Sequence, residues 1–224
     1  MKKSILNSFL VIICSILLVA CGKDNYDSPS STLIGKVTYA DNPVGVRGTN
    51  NSVRLQLWQD GYALRTPIDV YVTQDGSFTA ALFDGTYKLI TVPGNGPWKH
   101  ATDTLEIQVN GDTNVEFPVE PYFTISDIQY NVQGNILTAT FELVQHDQNR
   151  TPEEISLLVN DTQFVDLGNF TAKHSSTDES AGTVTISLDI ADQLTSSKAL
   201  FARVAVKASG ITEAVYDIKT EKIK

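Results

Sequence analysis

Flat aromatic rings at polar positions carry the most evident chemistry in this 224-residue chain. Trp98 follows Gly94-Asn95-Gly96-Pro97, a loop whose glycines leave little backbone to obstruct the indole. Trp58 stands in step with Arg54 and Gln56, and Tyr71 in step with Asp69 and Thr73, on the polar side of two alternating segments. Tyr62 lies between them in sequence. Exposed rings stack on the apolar face of a sugar, so Trp98, Trp58, Tyr62 and Tyr71 are candidate glycan contacts. Trp98 ranks first, because loops at the end of a rigid scaffold carry function. Packing is the alternative. Trp58 and Tyr71 could lie beneath a second domain or pair across strands, and Trp98 could plug the end of a sandwich.

The titratable residues point away from catalysis. Glycoside hydrolysis needs two carboxyl groups facing each other across the scissile bond. Glu153 and Glu154 are adjacent, and after Thr151-Pro152 they read as the start of a helix or turn. His100, His146 and His174 lie far apart with no metal-ligand spacing, and the polar surroundings of His146 and His174 make solvated histidine the default. There is no Gly-x-Ser-x-Gly elbow and no phosphate-binding loop. Asp75 and Asp84 each precede a glycine, which marks a turn rather than a calcium site. No catalytic, cofactor or metal residue is assigned, and the expectation is a protein that is not an enzyme.

The N-terminus predicts an address. Lys2 and Lys3 precede an apolar run that ends in Leu18-Val19-Ala20-Cys21-Gly22. A charged start, an apolar stretch and a small residue at a cut site make a secretory signal. Its strongly apolar part, Phe9 to Cys21, is too short to span a bilayer, which needs roughly 20 residues. The cysteine at the cut resembles a bacterial lipobox, which implies lipid attachment at Cys21 and a membrane anchor of several acyl chains. The expected organisation is a signal peptide over 1–20 and a lipidated linker over 21–32. Lys23-Asp24 resembles the tag that sends Bacteroidetes lipoproteins to the cell surface; the periplasmic leaflet is the alternative. The net charge is -9, and more negative once Lys2 and Lys3 are removed, so nucleic acid is excluded as a partner. The cysteines are Cys14, lost with the leader, and Cys21, so no disulfide is expected.

From Leu33 onward the hydrophobic period is two. Val53, Leu55 and Leu57 alternate with polar residues, as do Ile68, Val70 and Val72, and Phe78, Ala80 and Leu82. Asp60-Gly61, Asp75-Gly76, Asp84-Gly85 and Asn110-Gly111 punctuate them with turn chemistry. Strands of this kind, with no sustained 3.6 period, predict an all-β chain. Two β-sandwich domains in tandem are expected, over 33–120 and 121–224, each able to fold alone. Gly168 to Gly182 reads as a long polar loop.

Particular segments carry resemblances. Ile34-Gly35-Lys36-Val37, Val53-Arg54-Leu55-Gln56-Leu57, Thr73-Gln74-Asp75-Gly76-Ser77-Phe78 and Phe83-Asp84-Gly85-Thr86-Tyr87-Lys88-Leu89 resemble a carboxypeptidase-regulatory-like domain, a transthyretin-type sandwich. The tail from Phe201 through Gly210 to Tyr216 resembles the last hairpin of a fibronectin III/Ig-like sandwich. The whole chain, including Arg65-Thr66-Pro67-Ile68-Asp69-Val70 and Gly94-Asn95-Gly96-Pro97-Trp98, resembles two-domain Bacteroidetes lipoproteins of uncharacterised activity found beside SusC/SusD-type glycan-uptake pairs. That resemblance implies an outer-membrane lipoprotein that assists oligosaccharide capture, with SusC/SusD-like proteins as partners. The alternative is a structural or adhesive surface protein that spaces or docks partners.

Overall fold

The structure is a computed structural model that describes residues 27–61, 63–177 and 180–224. The signal peptide, the lipid-attachment residue Cys21 and the candidate contact Tyr62 lie outside the described residues.

The chain is all-β with two tandem domains. The first contains β1 (Ser31–Tyr39), β2 (Asn42–Pro43), β3 (Arg54–Trp58), β4 (Ile68–Tyr71), β5 (Ser77–Leu82), β6 (Gly85–Thr91), β7 (Leu105–Val109) and β8 (Thr113–Pro118). One sheet runs β2-β1-β5, with β8 parallel to β1, and the other runs β4-β3-β6-β7. Their inner faces bury the alternating residues: Leu33 and Val37 from β1, Leu55 and Leu57 from β3, Tyr87 and Leu89 from β6. The two Asp-Gly turns each deliver an aromatic to this core. Asp75 accepts hydrogen bonds from the Thr73 and Ser77 hydroxyls, Gly76 takes φ 78°, and Phe78 lands directly opposite Gly35 on β1. A Cβ on Gly35 would lie 2.2 Å from the Phe78 ring, so the pairing needs glycine there.

The second domain contains β9 (Phe123–Gln133), β10 (Ile136–Gln145), β11 (Pro152–Asn160), β12 (Ala172–Ser176), β13 (Gly182–Asp189), α1 (Ala191–Ser196), β14 (Phe201–Ala208), β15 (Val215–Tyr216) and β16 (Glu221–Lys222). The sheet β13-β10-β9 faces the sheet β12-β11-β14-β15, on which β16 also pairs with β14. Two expectations are corrected here. The segment 168–182 is not one loop: Ala172–Ser176 forms an edge strand on β11, and its polar, lysine-bearing sequence is typical of an edge. Thr151-Pro152-Glu153-Glu154 does not start a helix. Pro152 opens β11, a position that needs no ladder N–H, and a register shift between Pro152 and Glu154 follows. Pairing with β14 overrides the local helix-start signal.

The domains share a built junction. β11 and β14 are buried on both faces over Ile155–Asn160 and Ala202–Val206. One face meets the domain core; the other carries a second apolar cluster of Leu158, Val165, Ala205, Ala214 and Tyr216. Arg203 is fully buried beside it. Its Nε donates to the Asp217 carbonyl at 2.7 Å, Nη1 to Val165 at 3.3 Å and to Val46 at 3.2 Å, and Nη2 to Gln74 at 2.8 Å. Val46 and Gln74 belong to the first domain, so one second-domain side chain satisfies carbonyls of both. Around it, Arg47 pairs with Glu213 at 2.8 Å, Thr49 donates to the buried Asp166, and the Tyr216 amide donates to the Gly45 carbonyl. Separating the two domains would strip these buried polar groups of their partners, which argues against the expectation that each folds alone.

Candidate functional site

The outer face of the sheet β4-β3-β6-β7 holds the candidate site. Period-two alternation sends Leu55 and Leu57 inward and Arg54, Gln56 and Trp58 outward. Register fixes their neighbours. Arg54 pairs with Tyr71 and Gln56 with Asp69 on β4; Trp58 pairs with Lys88 on β6, and Lys88 with Glu106 on β7. Trp58, Lys88 and Glu106 thus form one row across three strands, all facing away from the core.

Trp58 is half-buried and stands between two grooves. One, of about 360 Å³, is lined by Gln56, Trp58, Arg65, Lys88, Ile90 and His100, with Thr91, Pro93 and Thr104 at its border. The other, of about 300 Å³, is lined by Trp58, Gln59, Asp60, Thr86, Lys88 and Glu106. The loop after β3 folds back so that the Arg65 guanidinium lies 5.4 Å from the Trp58 ring centroid. Asp60 holds this arrangement by pairing with Lys88 at 2.6 Å and with Arg65 at 3.2 Å. The hydrogen bond and charge of Lys88, with the charge of Arg65, keep the Asp60 carboxyl below its ordinary pKa. Arg65 keeps 59% of its side chain exposed, so most of its donors face water. The arrangement offers an aromatic face, cationic donors and carboxylate acceptors around shallow open space.

A further cleft, about 410 Å³, lies between the domains and is lined by Tyr39, Asn42, Val44, Thr124, Tyr216 and Asp217, among others. Its polar groups are already committed. Tyr39 Oη bonds to His146 Nδ1, His146 Nε2 to Thr124, Asp217 accepts from Tyr130, and the Tyr216 ring is capped by Arg203 at 4.6 Å. His146 is therefore a bridging residue and not the solvated ring its polar neighbours predicted; burial lowers its pKa, and the Lys99 charge lowers it further.

Trp98 requires the main correction. The residue is only 3% exposed. Trp98 forms a bridge with Pro121, while the Tyr122 amide donates to the Pro97 carbonyl at 3.0 Å, so the interdomain segment closes over the loop. A Cβ on Gly96 would lie 2.4 Å from the indole. The glycine makes room for a packed ring; it does not present the ring to solvent. Trp98 is a plug at the junction and not a glycan contact.

Residues 31–120 match the family described as "Protein of unknown function (DUF3823) N-terminal domain", and 123–219 match its "DUF3823_C" domain. A DUF3823 protein of Parabacteroides merdae is 40% identical, covering 88% of this chain and 100% of its own, with a TM-score of 0.84. The chain belongs to the DUF3823 family. A second DUF3823 structure, from Bacteroides ovatus, is 32% identical, with 87% of this chain and 98% of that one covered and a TM-score of 0.78. A Bacteroides uniformis protein, described as a candidate carbohydrate binding protein, shares the fold at 24% identity and a TM-score of 0.72, over 88% of this chain and 99% of its own. No curated protein matches the chain.

On this DUF3823 scaffold, the residues singled out in sequence divide cleanly. Trp58 and Tyr71 share the outer face, with Tyr71 42% exposed; Trp98 does not join them. Arg65, Lys88, Asp60, Glu106 and His100 were missed as site residues. For Lys88 and Glu106 the signal was present, since each falls on the polar phase of its strand; Arg65 and Asp60 lie in a loop that no period describes. Glu153 and Glu154 pair with Lys207 at 2.7 Å and Lys173 at 2.9 Å and face no common cleft. Among the described residues there is no group of three or more His, Cys, Asp or Glu that could hold a metal ion, and no helix long and apolar enough to cross a membrane.

Proposed function

We propose that this chain is a non-catalytic glycan-binding lipoprotein of the outer membrane. Cys21 carries the lipid, the first domain is exposed at the cell surface, and the Trp58 face assists oligosaccharide capture beside a SusC/SusD-like uptake system. One observation carries the binding: a partly exposed indole, with a cation over it and a groove on either side, on the outer face of the sheet β4-β3-β6-β7. The relative described as a candidate carbohydrate binding protein supports the ligand class. The hydrogen-bonded junction favours a second reading, in which the chain is a structural or adhesive surface protein that spaces or docks partner proteins.

A glycan array on the soluble chain from Lys23 to Lys224, run beside Trp58→Ala, separates the two. Aromatic contacts are worth about 0.5–1.5 kcal/mol beyond burial, so the variant should bind array hits roughly 2- to 13-fold more weakly at ~1.4 kcal/mol per decade. Unchanged affinity in a folded variant would remove the face from consideration, and an empty array would favour the spacer. For the anchor, Cys21→Ala should release the protein from membranes; a variant that still partitions with outer membrane would overturn the lipoprotein assignment.

A further inference from the structure

We infer that the Trp58 face selects acidic oligosaccharides and binds them in one direction, with the carboxylate- or sulfate-bearing unit in the groove of Arg65 and His100 and the neighbouring unit over Asp60 and Glu106. This rests on the glycan-binding reading and adds the ligand's charge and polarity.

The two grooves differ in sign. Arg65, Lys88 and His100 line the first, and none of its lining residues is acidic. Asp60 and Glu106 line the second, and Lys88 lines both. The separation follows from register: the row Trp58–Lys88–Glu106 sets Lys88 on the strand beside Trp58 and Glu106 one strand further out. A chain of net charge -9 repels anions over most of its surface. An anionic sugar is therefore held only where cations converge at short range. Arg65 and Lys88 each give Asp60 a partner atom and retain further N–H donors for a ligand. The shared Asp60 fixes both cations before a ligand arrives, which lowers the ordering cost of binding. Across the ring, Asp60 and Glu106 act as acceptors for sugar hydroxyls and repel a second anionic group. A ligand charged at every unit fits less well than one charged at alternate units or at one end.

The test compares probes that differ in charge alone. Oligogalacturonate is assayed against its carboxyl-reduced counterpart, and heparin and chondroitin sulfate oligosaccharides against counterparts that are both desulfated and carboxyl-reduced, with wild type, Arg65→Gln and Glu106→Gln. The expected result is that at least one acidic probe binds roughly tenfold more tightly than its neutral counterpart. Arg65→Gln, at an exposed position, should remove most of that difference, and raising salt from about 50 mM to 500 mM should weaken acidic binding only. Which pair responds tells carboxylate from sulfate. Glu106→Gln should relax the penalty against uniformly charged probes. If neutral probes bind as tightly as acidic ones and depend on Trp58, the charge inference falls while glycan binding at this face stands. Acidic binding that Arg65→Gln leaves unchanged overturns it too. If no probe of either charge binds, both readings fall.

Discussion

Two of the arginines that lie over aromatic rings in this molecule, Arg203 and Arg65, do opposite work; a third, Arg150, lies 5.6 Å from the Tyr122 centroid. Arg203 sits 4.6 Å from the Tyr216 centroid, fully buried, with four of its five N–H donors bound to backbone carbonyls of two domains. Arg65 sits 5.4 Å from the Trp58 centroid, exposed, with a single acidic partner. Burying a cation is costly unless every direction around it is satisfied. Satisfaction on that scale leaves little for a ligand, so Arg203 is part of the fold. Arg65 is partly satisfied and remains hydrated; its pairing costs little and its leftover donors are available. The pairing of cation and ring does not mark a binding site by itself. The number of unspent donors facing water does.

The largest expected effect breaks the buried member of this pair. Arg203→Met removes the donors and leaves the carbonyls of Val46, Gln74, Val165 and Asp217 without that partner, a loss comparable with breaking a buried ion pair, about 3–5 kcal/mol. Chemical denaturation should show the loss, and Arg203→Lys should recover little of it, because an ammonium cannot reproduce the planar fork. A loss under about 1 kcal/mol for Arg203→Met would show that the junction does not stabilise the fold. The two tryptophans extend the comparison. Trp98→Ala should cost about 3 kcal/mol or more, in the range of large aromatic deletions, while Trp58→Ala should leave stability within about 1 kcal/mol. A Trp98→Ala protein with wild-type melting would contradict the plug.

This contrast explains what was legible in the sequence. Alternation placed Trp58 correctly, because Val53, Leu55 and Leu57 are all fully buried and the residues between them must face outward. Trp98 was not legible. Gly94, Gly96 and Pro97 suit a presented ring and a covered ring equally, and the covering residues, Pro121 and Tyr122, arrive from across the domain boundary. Arg203 was visible in principle. Phe201–Ala208 is a run of small and apolar residues without alternation, the pattern of a strand buried on both faces, and an arginine inside such a run must find internal acceptors. Polar edge strands such as β12 stay hidden for the converse reason: their side chains report solvent, and only the pairing with β11 makes them strands.

A smaller effect concerns Glu154, which shows how far a pair short of full burial contributes. Partial burial raises its pKa, but hydrogen bonds from Lys173, Ser175 and Ser156 outweigh this and hold the carboxyl at about 2, against an ordinary 4.5. A depressed folded pKa means that the stabilisation is complete above about pH 4.5 and is lost as the pH falls toward 2. Glu154→Gln should therefore be less stable than wild type at pH 7, with the gap closing steadily through that window. A gap independent of pH would mean that the packing of the side chain, and not its charge, is what matters.

The smallest effect tests how far along the sheet a ligand reaches. Tyr71 faces Arg54, four residues from Trp58 along β3, which is roughly 13 Å at ~3.3 Å per residue. Between them, Asp69 is occupied by Arg54 at 3.2 Å and by Gln56 at 3.1 Å, so a ligand crossing that stretch meets groups that are already paired. Tyr71→Ala should consequently change neither stability, by more than about 0.5 kcal/mol for an exposed site, nor the affinity of oligosaccharides short enough to sit on Trp58 alone. Longer ligands should lose roughly twofold, the low end of an aromatic contact. Affinity measured across a size series reads this directly. A penalty already present for the shortest binders would mean that Tyr71 acts on Trp58 through the sheet. No penalty at any length would confine the site to the two grooves around the indole, and the polarity of Arg65 and Glu106 would then have to be sensed by adjacent sugar units.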